Sequence, residues 1–88
     1  MAITGRLKEI INRGGEKISP REVDEIIMDH PAVHQCVTFA MPHDMLGEEV
    51  AAAIVLRQGI AATDKELREF ASARLAPYKV PKKILILD

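Results

Sequence analysis

A cluster of basic residues surrounds a pair of adjacent glycines near the start of the chain. The stretch from Gly5 to Pro20 contains four of the twelve lysines and arginines, namely Arg6, Lys8, Arg13 and Lys17. Because glycine tolerates positive φ, Gly14-Gly15 predicts a tight turn whose backbone a ligand can approach closely. Cations on the flanking segments are suited to binding phosphate groups. The same pattern also fits a charged hairpin without a ligand, and composition alone favours neither interpretation.

The other residues that could perform chemistry lack suitable partners. Cys36 is the single cysteine, so it cannot form an internal disulfide, and we expect it to be a small buried residue on a strand. It shows no zinc-ligand spacing with the three histidines, which are His30, His34 and His43. We therefore expect no catalytic residue and no metal site in this chain.

Length and composition narrow the class of protein. The chain has 88 residues, of which 48% are hydrophobic and 3% aromatic, so we expect one small domain with an aliphatic core. A net charge of −1 argues against a general nucleic-acid binder. No apolar run is long enough to predict a membrane span, and no secretory leader is evident. So short a chain is expected to be a binding module or part of a larger enzyme.

The first half of the chain predicts a hairpin, a helix and a strand. We expect two short strands, Leu7–Ile11 and Lys17–Ile18, joined by the Gly-Gly turn. Ser19-Pro20-x-Glu22 is typical of a helix start with a capping box. His30-Pro31 predicts the end of that helix, because the residue before proline avoids the α region.

The next segment predicts two strands joined by a loop. In the first strand, Val33–Met41, we expect one face to carry Val33, Val37, Phe39 and Met41 and the other to carry Cys36 and Thr38. A loop is expected over Pro42–Gly47. The nearly continuous apolar run Glu49–Leu56 predicts a strand that is central in the sheet or buried on both faces.

A second helix and a last strand complete the predicted fold. Thr63-x-x-Glu66 is a second capping box, the apolar positions after it have helical spacing, and Pro77 predicts the helix end. Val80-Pro81 is expected to be extended and Ile84–Leu87 to form the last strand. The order β-β-α-β-β-α-β predicts an α+β fold: a small mixed β-sheet with two helices packed on one face and an N-terminal β-hairpin.

The glycine stretch, taken with later motifs, resembles the C-terminal domain of the adenylate-forming enzymes, which include acyl-CoA synthetases, aryl-CoA ligases and luciferases. The segments that carry the resemblance are Thr4-Gly5-Arg6-Leu7-Lys8-Glu9, Gly15-Glu16-Lys17-Ile18-Ser19-Pro20, Glu22-Val23-Asp24, His30-Pro31-x-Val33, Pro42-His43-x-x-x-Gly47-Glu48 and Leu75-x-x-Tyr78-Lys79-Val80-Pro81. They follow the family order over nearly the whole chain. The pattern is most similar to that of acyl-CoA ligases and oxalate- or coumarate-type CoA ligases.

The resemblance implies roles for five residues. Arg6 would contact the ribose of the nucleotide, and Lys17 would stand near the phosphate of the acyl adenylate. Lys8 would be the hinge whose backbone torsions change between two half-reactions. Gly14 and Gly15 would line the path of the pantetheine arm of coenzyme A.

The resemblance also implies that residues 1–88 form the mobile lid domain of a ligase. A larger N-terminal domain of the same enzyme would bind ATP, Mg²⁺ and a carboxylic acid. The lid would rotate after adenylation so that coenzyme A can attack the acyl adenylate. We expect a cytoplasmic enzyme, no nucleic-acid partner, and no cofactor bound to this chain alone.

One departure from the family pattern limits what this chain can do. The family's adenylation lysine lies in a Gly-Lys-(Ile/Leu) segment after the last strand, and the chain stops at Asp88 before such a segment. Lys82 and Lys83 come too early in the pattern to replace it. We therefore expect a piece of a longer enzyme that is inactive alone.

Two other interpretations belong to a different class of protein. Ile10–Ile18 superficially resembles the glycine loop of KH-type RNA-binding modules, but Asn12 stands where the first glycine should be and Ser19-Pro20 begins a new helix. A stand-alone, non-catalytic derivative of the same fold is the second alternative. Both would make the chain a binding module.

Overall fold

The structure, a computed structural model, describes residues 10–87 and contains five strands and two helices. In chain order these are β1 (Ile11–Arg13), β2 (Glu16–Ile18), α1 (Pro20–Met28), β3 (Val33–His43), β4 (Gly47–Leu56), α2 (Asp64–Ser72) and β5 (Lys83–Leu87). A short 3-10 turn, Pro77–Lys79, lies between α2 and β5. The predicted α+β class and the order β-β-α-β-β-α-β are confirmed.

Strand β4 is the centre of a mixed sheet. It pairs antiparallel with β3 along its length, from Val33 opposite Leu56 to His43 opposite Gly47. Its other edge pairs parallel with β5 and, at Gly47 alone, with Arg13 of β1. The apolar run that predicted a central strand is thereby explained, because β4 has neighbours on both edges.

Both helices pack on the same face of the sheet. Alternate residues of β4, together with Cys36 on β3 and Ile84 on β5, point into one core with residues from the two helices. The fully buried side chains of this core are Ile11, Ile18, Val23, Ile27, Val50, Ala52, Ile54, Leu67 and Ala71. No helix within residues 10–87 is long and apolar enough to cross a membrane.

The N-terminal hairpin has a two-residue turn at the predicted glycines. Gly14 and Gly15 have φ values of +55° and +93°, and positive φ at both positions is typical of tight hairpin turns that match the strand twist. The prediction ended the first strand at Ile11, which is wrong, because β1 continues to Arg13 opposite Glu16. The start of the predicted strand, at Leu7, lies outside the described residues.

The two predicted capping boxes have different outcomes. Thr63 Oγ1 accepts a hydrogen bond from the Glu66 N–H at 3.1 Å, as predicted for α2. The Ser19 side chain makes no capping hydrogen bond, so the capping-box prediction for α1 is wrong, although the helix does begin at Pro20. The Glu22 carboxylate instead accepts hydrogen bonds from Lys79 Nζ at 2.9 and 3.1 Å. A long-range ion pair has replaced the local cap.

Helix α2 ends earlier than the proline signal predicts. Its last residue is Ser72, and the chain then turns irregularly until Pro77. The Leu75 N–H still donates to the Ala71 carbonyl at 2.8 Å, and Leu75 remains in the core. Pro77 thus begins the 3-10 turn rather than ending the helix.

Strand β3 departs from the prediction at both ends. Pro42 and His43 continue the strand opposite Glu48 and Gly47, so the predicted loop over Pro42–Gly47 shrinks to Asp44–Leu46. At the other end the register shifts between Val33 and Gln35, which leaves His34 as an extra residue. This bulge turns Val33 into the core with Cys36, and placing Val33 on the face of Val37 was wrong.

Candidate functional site

The hairpin formed by β1, Gly14-Gly15 and β2, which we call the glycine hairpin, contacts the turn that joins β3 to β4. We call residues Asp44–Leu46 the β3–β4 turn. The Gly14 N–H donates to the Leu46 carbonyl at 2.9 Å, and Arg13 pairs with Gly47 in the sheet. Two segments that are about 30 residues apart in sequence therefore form one surface feature, in which the glycines are exposed.

The two glycines of the hairpin occupy different surroundings. A Cβ atom added at Gly14 would lie 2.9 Å from Leu46 Cδ2, whereas one added at Gly15 would meet nothing within 4 Å. A contact of 2.9 Å is shorter than van der Waals packing permits, so a side chain at position 14 would force the Leu46 side chain to shift. The positive φ of Gly14, +55°, also favours glycine at this position. Gly15 is the glycine that faces open space.

Asn12 stabilises the turn of the hairpin by hydrogen bonds. Its Oδ1 accepts a hydrogen bond from the Gly15 N–H at 3.1 Å, and its own N–H donates to Glu48 Oε1 at 2.8 Å. Asparagine side chains commonly stabilise turns by such bonds to nearby backbone groups. The position that departs from the KH glycine loop thus has a structural role in a hairpin.

An ion pair ties the hairpin to the central strand. Arg13 Nε donates to Glu49 Oε1 at 2.7 Å, and Glu49 is only 4% exposed. The same oxygen accepts the Val50 N–H at 3.0 Å. Burial alone would raise the pKa of Glu49, but the hydrogen bond and charge of Arg13, with Val50 and the charge of Lys82, hold the pKa below its ordinary value.

The structure brings together three of the five residues to which the sequence assigned roles. Gly14 and Gly15 form the turn, and Lys17 lies exposed on β2, opposite Asn12 of β1. Arg6 and Lys8 lie outside the described residues. The Arg13–Glu49 pair was missed by the sequence analysis, because residues 36 positions apart give no local signal of contact.

The other candidate groups have structural partners. His30 Nδ1 accepts the Ala32 N–H at 3.0 Å, and its ring packs edge-on against Phe70 at 4.9 Å. Cys36 is buried in the core as expected. Asp24 is buried on α1 and accepts the Thr38 N–H of β3 at 2.7 Å. Among residues 10–87, no three histidine, cysteine, aspartate or glutamate side chains form a group that could hold a metal ion.

A second charged region lies between α2 and the segment before β5. A shallow groove of about 320 Å³ is lined by the apolar residues Pro77, Val80 and Pro81 and by charged residues of both signs. The charged residues are Lys65, Arg68, Glu69 and Lys82. Nearby, the hydrogen bond and charge of Glu22 raise the pKa of Lys79. The resulting ion pair connects the 3-10 turn to α1.

Comparison with known proteins relates this chain to one end of a family of larger enzymes. The family model described as the AMP-binding enzyme C-terminal domain matches residues 22–88. Oxalate–CoA ligase of Saccharomyces cerevisiae is 49% identical over 88 residues, which are 100% of this chain and 16% of that enzyme. Oxalate–CoA ligase of Arabidopsis thaliana is 46% identical over 98% of this chain and 17% of its own length.

Two of the solved structures that superpose on this chain are CoA synthetases, the same class of enzyme as the sequence relatives. The o-succinylbenzoate CoA synthetase of Bacillus subtilis, in complex with an acyl-adenylate intermediate, superposes with a TM-score of 0.85 at 34% identity. That match covers 91% of this chain and 16% of the synthetase. A fatty acyl CoA synthetase of Mycobacterium tuberculosis gives a TM-score of 0.84, also at 34% identity. This chain therefore spans about one sixth of the proteins that it matches.

Replacing Glu49 by glutamine should destabilise the fold at neutral pH. Glu49→Gln removes the carboxylate and leaves the Arg13 guanidinium without its ionic partner, which we expect to cost about 1–3 kcal/mol of unfolding free energy. Because the pKa of Glu49 is lowered from 4.5, the contribution of its charge is complete above that pH and is lost as pH falls through the folded-state value. Urea unfolding of wild type and variant should therefore converge in acid.

Glu22→Gln is the matched control, because the Lys79–Glu22 pair is more exposed than the Arg13–Glu49 pair. We expect a smaller loss of stability from this control at neutral pH. Equal losses from the two variants, or a Glu49→Gln difference that does not shrink in acid, would contradict the assigned strength of the Arg13–Glu49 pair.

Proposed function

Because this chain belongs to the family of AMP-binding enzyme C-terminal domains, we propose that it is the mobile lid domain of an ATP-dependent, AMP-forming acyl-CoA synthetase. The observation that carries the proposal is a match of 49% identity along the entire chain to part of a CoA ligase. The exposed glycine turn beside Lys17 supports it, because this is the surface that the proposed chemistry requires.

The proposed reaction has two steps. The carboxylate oxygen of the acid attacks the α-phosphate of ATP, and the bond to pyrophosphate breaks to leave an acyl adenylate. The thiolate of coenzyme A then attacks the acyl carbon, a thioester forms, and AMP leaves with the bonding electrons. Mg²⁺ would neutralise the phosphates in the first step, and the N-terminal domain of the same enzyme would hold ATP and the acid.

The chain would serve the second step through its hairpin. The pantetheine arm of coenzyme A is long and thin, so a path for it requires backbone without side chains. Gly15 meets this requirement, because no atom lies within 4 Å of the position that its Cβ would take. Lys17 on β2 would add positive charge near the adenylate phosphate, with Arg6 on the ribose.

Rotation of the lid about Lys8 would let the same enzyme perform both steps. Adenylation needs positive charge around the triphosphate, whereas thioester formation needs an open path for coenzyme A, so one arrangement cannot serve both. A hinge near the start of the chain would allow the whole domain to turn as a body. A cytoplasmic location stays a prediction.

The RNA-binding alternative has no support in the structure. In KH-type modules the glycine loop precedes a helix, whereas here Glu16–Ile18 forms strand β2 of a hairpin. The family match also points to AMP-binding enzymes rather than to RNA-binding modules.

A chimaeric ligase tests the proposed function. In yeast oxalate–CoA ligase, this chain would replace the 88 matching residues, with the rest of that enzyme unchanged. We expect the chimaera to release pyrophosphate from ATP and to form the CoA thioester, both measured by chromatography. The isolated 88-residue chain should release no pyrophosphate above background. A folded chimaera that lacks pyrophosphate release or thioester formation would contradict the proposal. Pyrophosphate release by the isolated chain would contradict it as well.

Proline at the hinge should separate the two half-reactions. Lys8→Pro fixes φ near −65°, so the lid should be held in one arrangement, and one half-reaction should be lost while the other survives. Lys8→Ala is the control, because it removes the side chain but keeps backbone freedom. The rates of pyrophosphate release and of thioester formation from preformed acyl adenylate give the result. An equal loss of both half-reactions in a variant that still folds would contradict the assignment of Lys8 as the hinge.

A side chain at Gly15 should obstruct the thiol arm. Gly15→Leu in the chimaera should reduce thioester formation by about tenfold or more while adenylation changes little. Gly59→Leu is the matched control: Gly59 also has positive φ, at +79°, and also meets nothing within 4 Å, so the backbone strain is comparable but the location differs. Unchanged CoA kinetics in Gly15→Leu would remove Gly15 from the path.

A further inference from the structure

We propose that the β3–β4 turn is a positioning element for the CoA-dependent step, and that Leu46 is the residue through which it acts. This inference rests on the proposed function, since it concerns how the open glycine is held where coenzyme A would pass. Leu46 is not among the residues to which the family resemblance assigned a role. Contacts lead from His43 to Leu46 and from Leu46 to Gly14 of the hairpin.

The first contact joins Leu46 to Gly14 by both backbone and side chain. The Leu46 carbonyl accepts the Gly14 N–H at 2.9 Å, and Leu46 Cδ2 lies 2.9 Å from the position that a Cβ of residue 14 would take. The backbone of Gly14 is therefore held on its closed side. Since Gly14 and Gly15 are adjacent in a two-residue turn, Leu46 contributes to the position of Gly15 together with Asn12, whose Oδ1 accepts the Gly15 N–H.

The remaining contacts fix Leu46 itself. His43 Nδ1 accepts hydrogen bonds from the N–H groups of Met45 and Leu46 at 3.1 and 3.0 Å. His43 in turn is the last residue of β3 and pairs with Gly47 of β4. The amide and the carbonyl of Leu46 are thus both hydrogen-bonded, so the turn is held on the sheet rather than left to its own flexibility.

The turn also provides an internal control. Met45 precedes Leu46 but is 89% exposed, and its side chain makes no contact with the glycines in the way that Leu46 does. Removing either side chain deletes a large apolar group from the same three-residue turn. Only the removal of the Leu46 side chain takes away the apolar contact beside Gly14, which leaves the backbone hydrogen bond as its link to the turn.

We expect a second set of contacts to keep the hairpin attached when Leu46 is changed. Arg13 remains paired with Glu49, and the Asn12 N–H remains bonded to Glu48. Both contacts attach β1 to β4 without involving the β3–β4 turn. A Leu46 variant should therefore keep the hairpin attached while its tip moves, which is the behaviour expected of a positioning residue rather than of a core residue.

The test compares Leu46→Ala with Met45→Ala in the chimaeric ligase. For Leu46→Ala we expect kcat/KM for coenzyme A to fall by about tenfold or more, since displacements near 1 Å at a reacting centre have effects of this size. Pyrophosphate release should stay close to that of the parent. Met45→Ala should match the parent in both steps. Equal losses in the two half-reactions, no loss, or the same loss in Met45→Ala would overturn the positioning role.

A histidine series tests the same path without changing the glycine contact. His43→Ala removes the acceptor of the two turn amides and should give the same selective loss in the CoA-dependent step. His43→Asn should restore much of it, because its Oδ1 can accept the same N–H groups. Failure of asparagine to exceed alanine would contradict the path from His43 to Leu46. A parent chimaera that adenylates but never forms thioester would instead defeat the proposed function, and the positioning role with it.

Discussion

The close approach of the Gly14 backbone to Leu46 is the constraint on which the candidate site depends. A side-chain atom at position 14 would lie 2.9 Å from Leu46 Cδ2 and would displace it, and the φ of +55° at this position also favours glycine. The close approach also places the neighbouring glycine on the open side of the turn. The two glycines look alike in the sequence, but Gly14 lies against Leu46 whereas Gly15 faces open space.

Strand β4 connects this surface feature to the core. Its first residues hold the hairpin, through Glu48 on the Asn12 amide and Glu49 on Arg13. Its later residues, Val50, Ala52 and Ile54, are fully buried beneath the two helices. The contacts of Glu48 and Glu49 attach β1 to the most buried strand, and Leu46 holds the glycine tip through the Gly14 N–H, so together they leave the hairpin little freedom to move independently of the domain. We infer that any rotation in the complete enzyme would carry the glycine turn as a rigid part of the lid.

Local signals in the sequence predicted the element order, the Gly-Gly turn and the Thr63 cap, because each depends on residues within a few positions of one another. Two of the failures have a common physical cause, which is competition from distant partners. Glu22 binds Lys79 instead of completing the α1 capping box, and pairing with Glu48 keeps Pro42 in β3. The Arg13–Glu49 pair and the contact of Leu46 with Gly14 depend on the packing of two hairpins, which no local pattern encodes.

The most direct measurement is a crystal structure of the chimaeric ligase with coenzyme A and a non-reactive analogue of the acyl adenylate. We predict that the pantetheine arm passes within about 4 Å of the Gly15 Cα, with the hydrogen bond from the Gly14 N–H to the Leu46 carbonyl still formed. A pantetheine arm that approaches the active centre along another face of the domain, away from the hairpin, would contradict it.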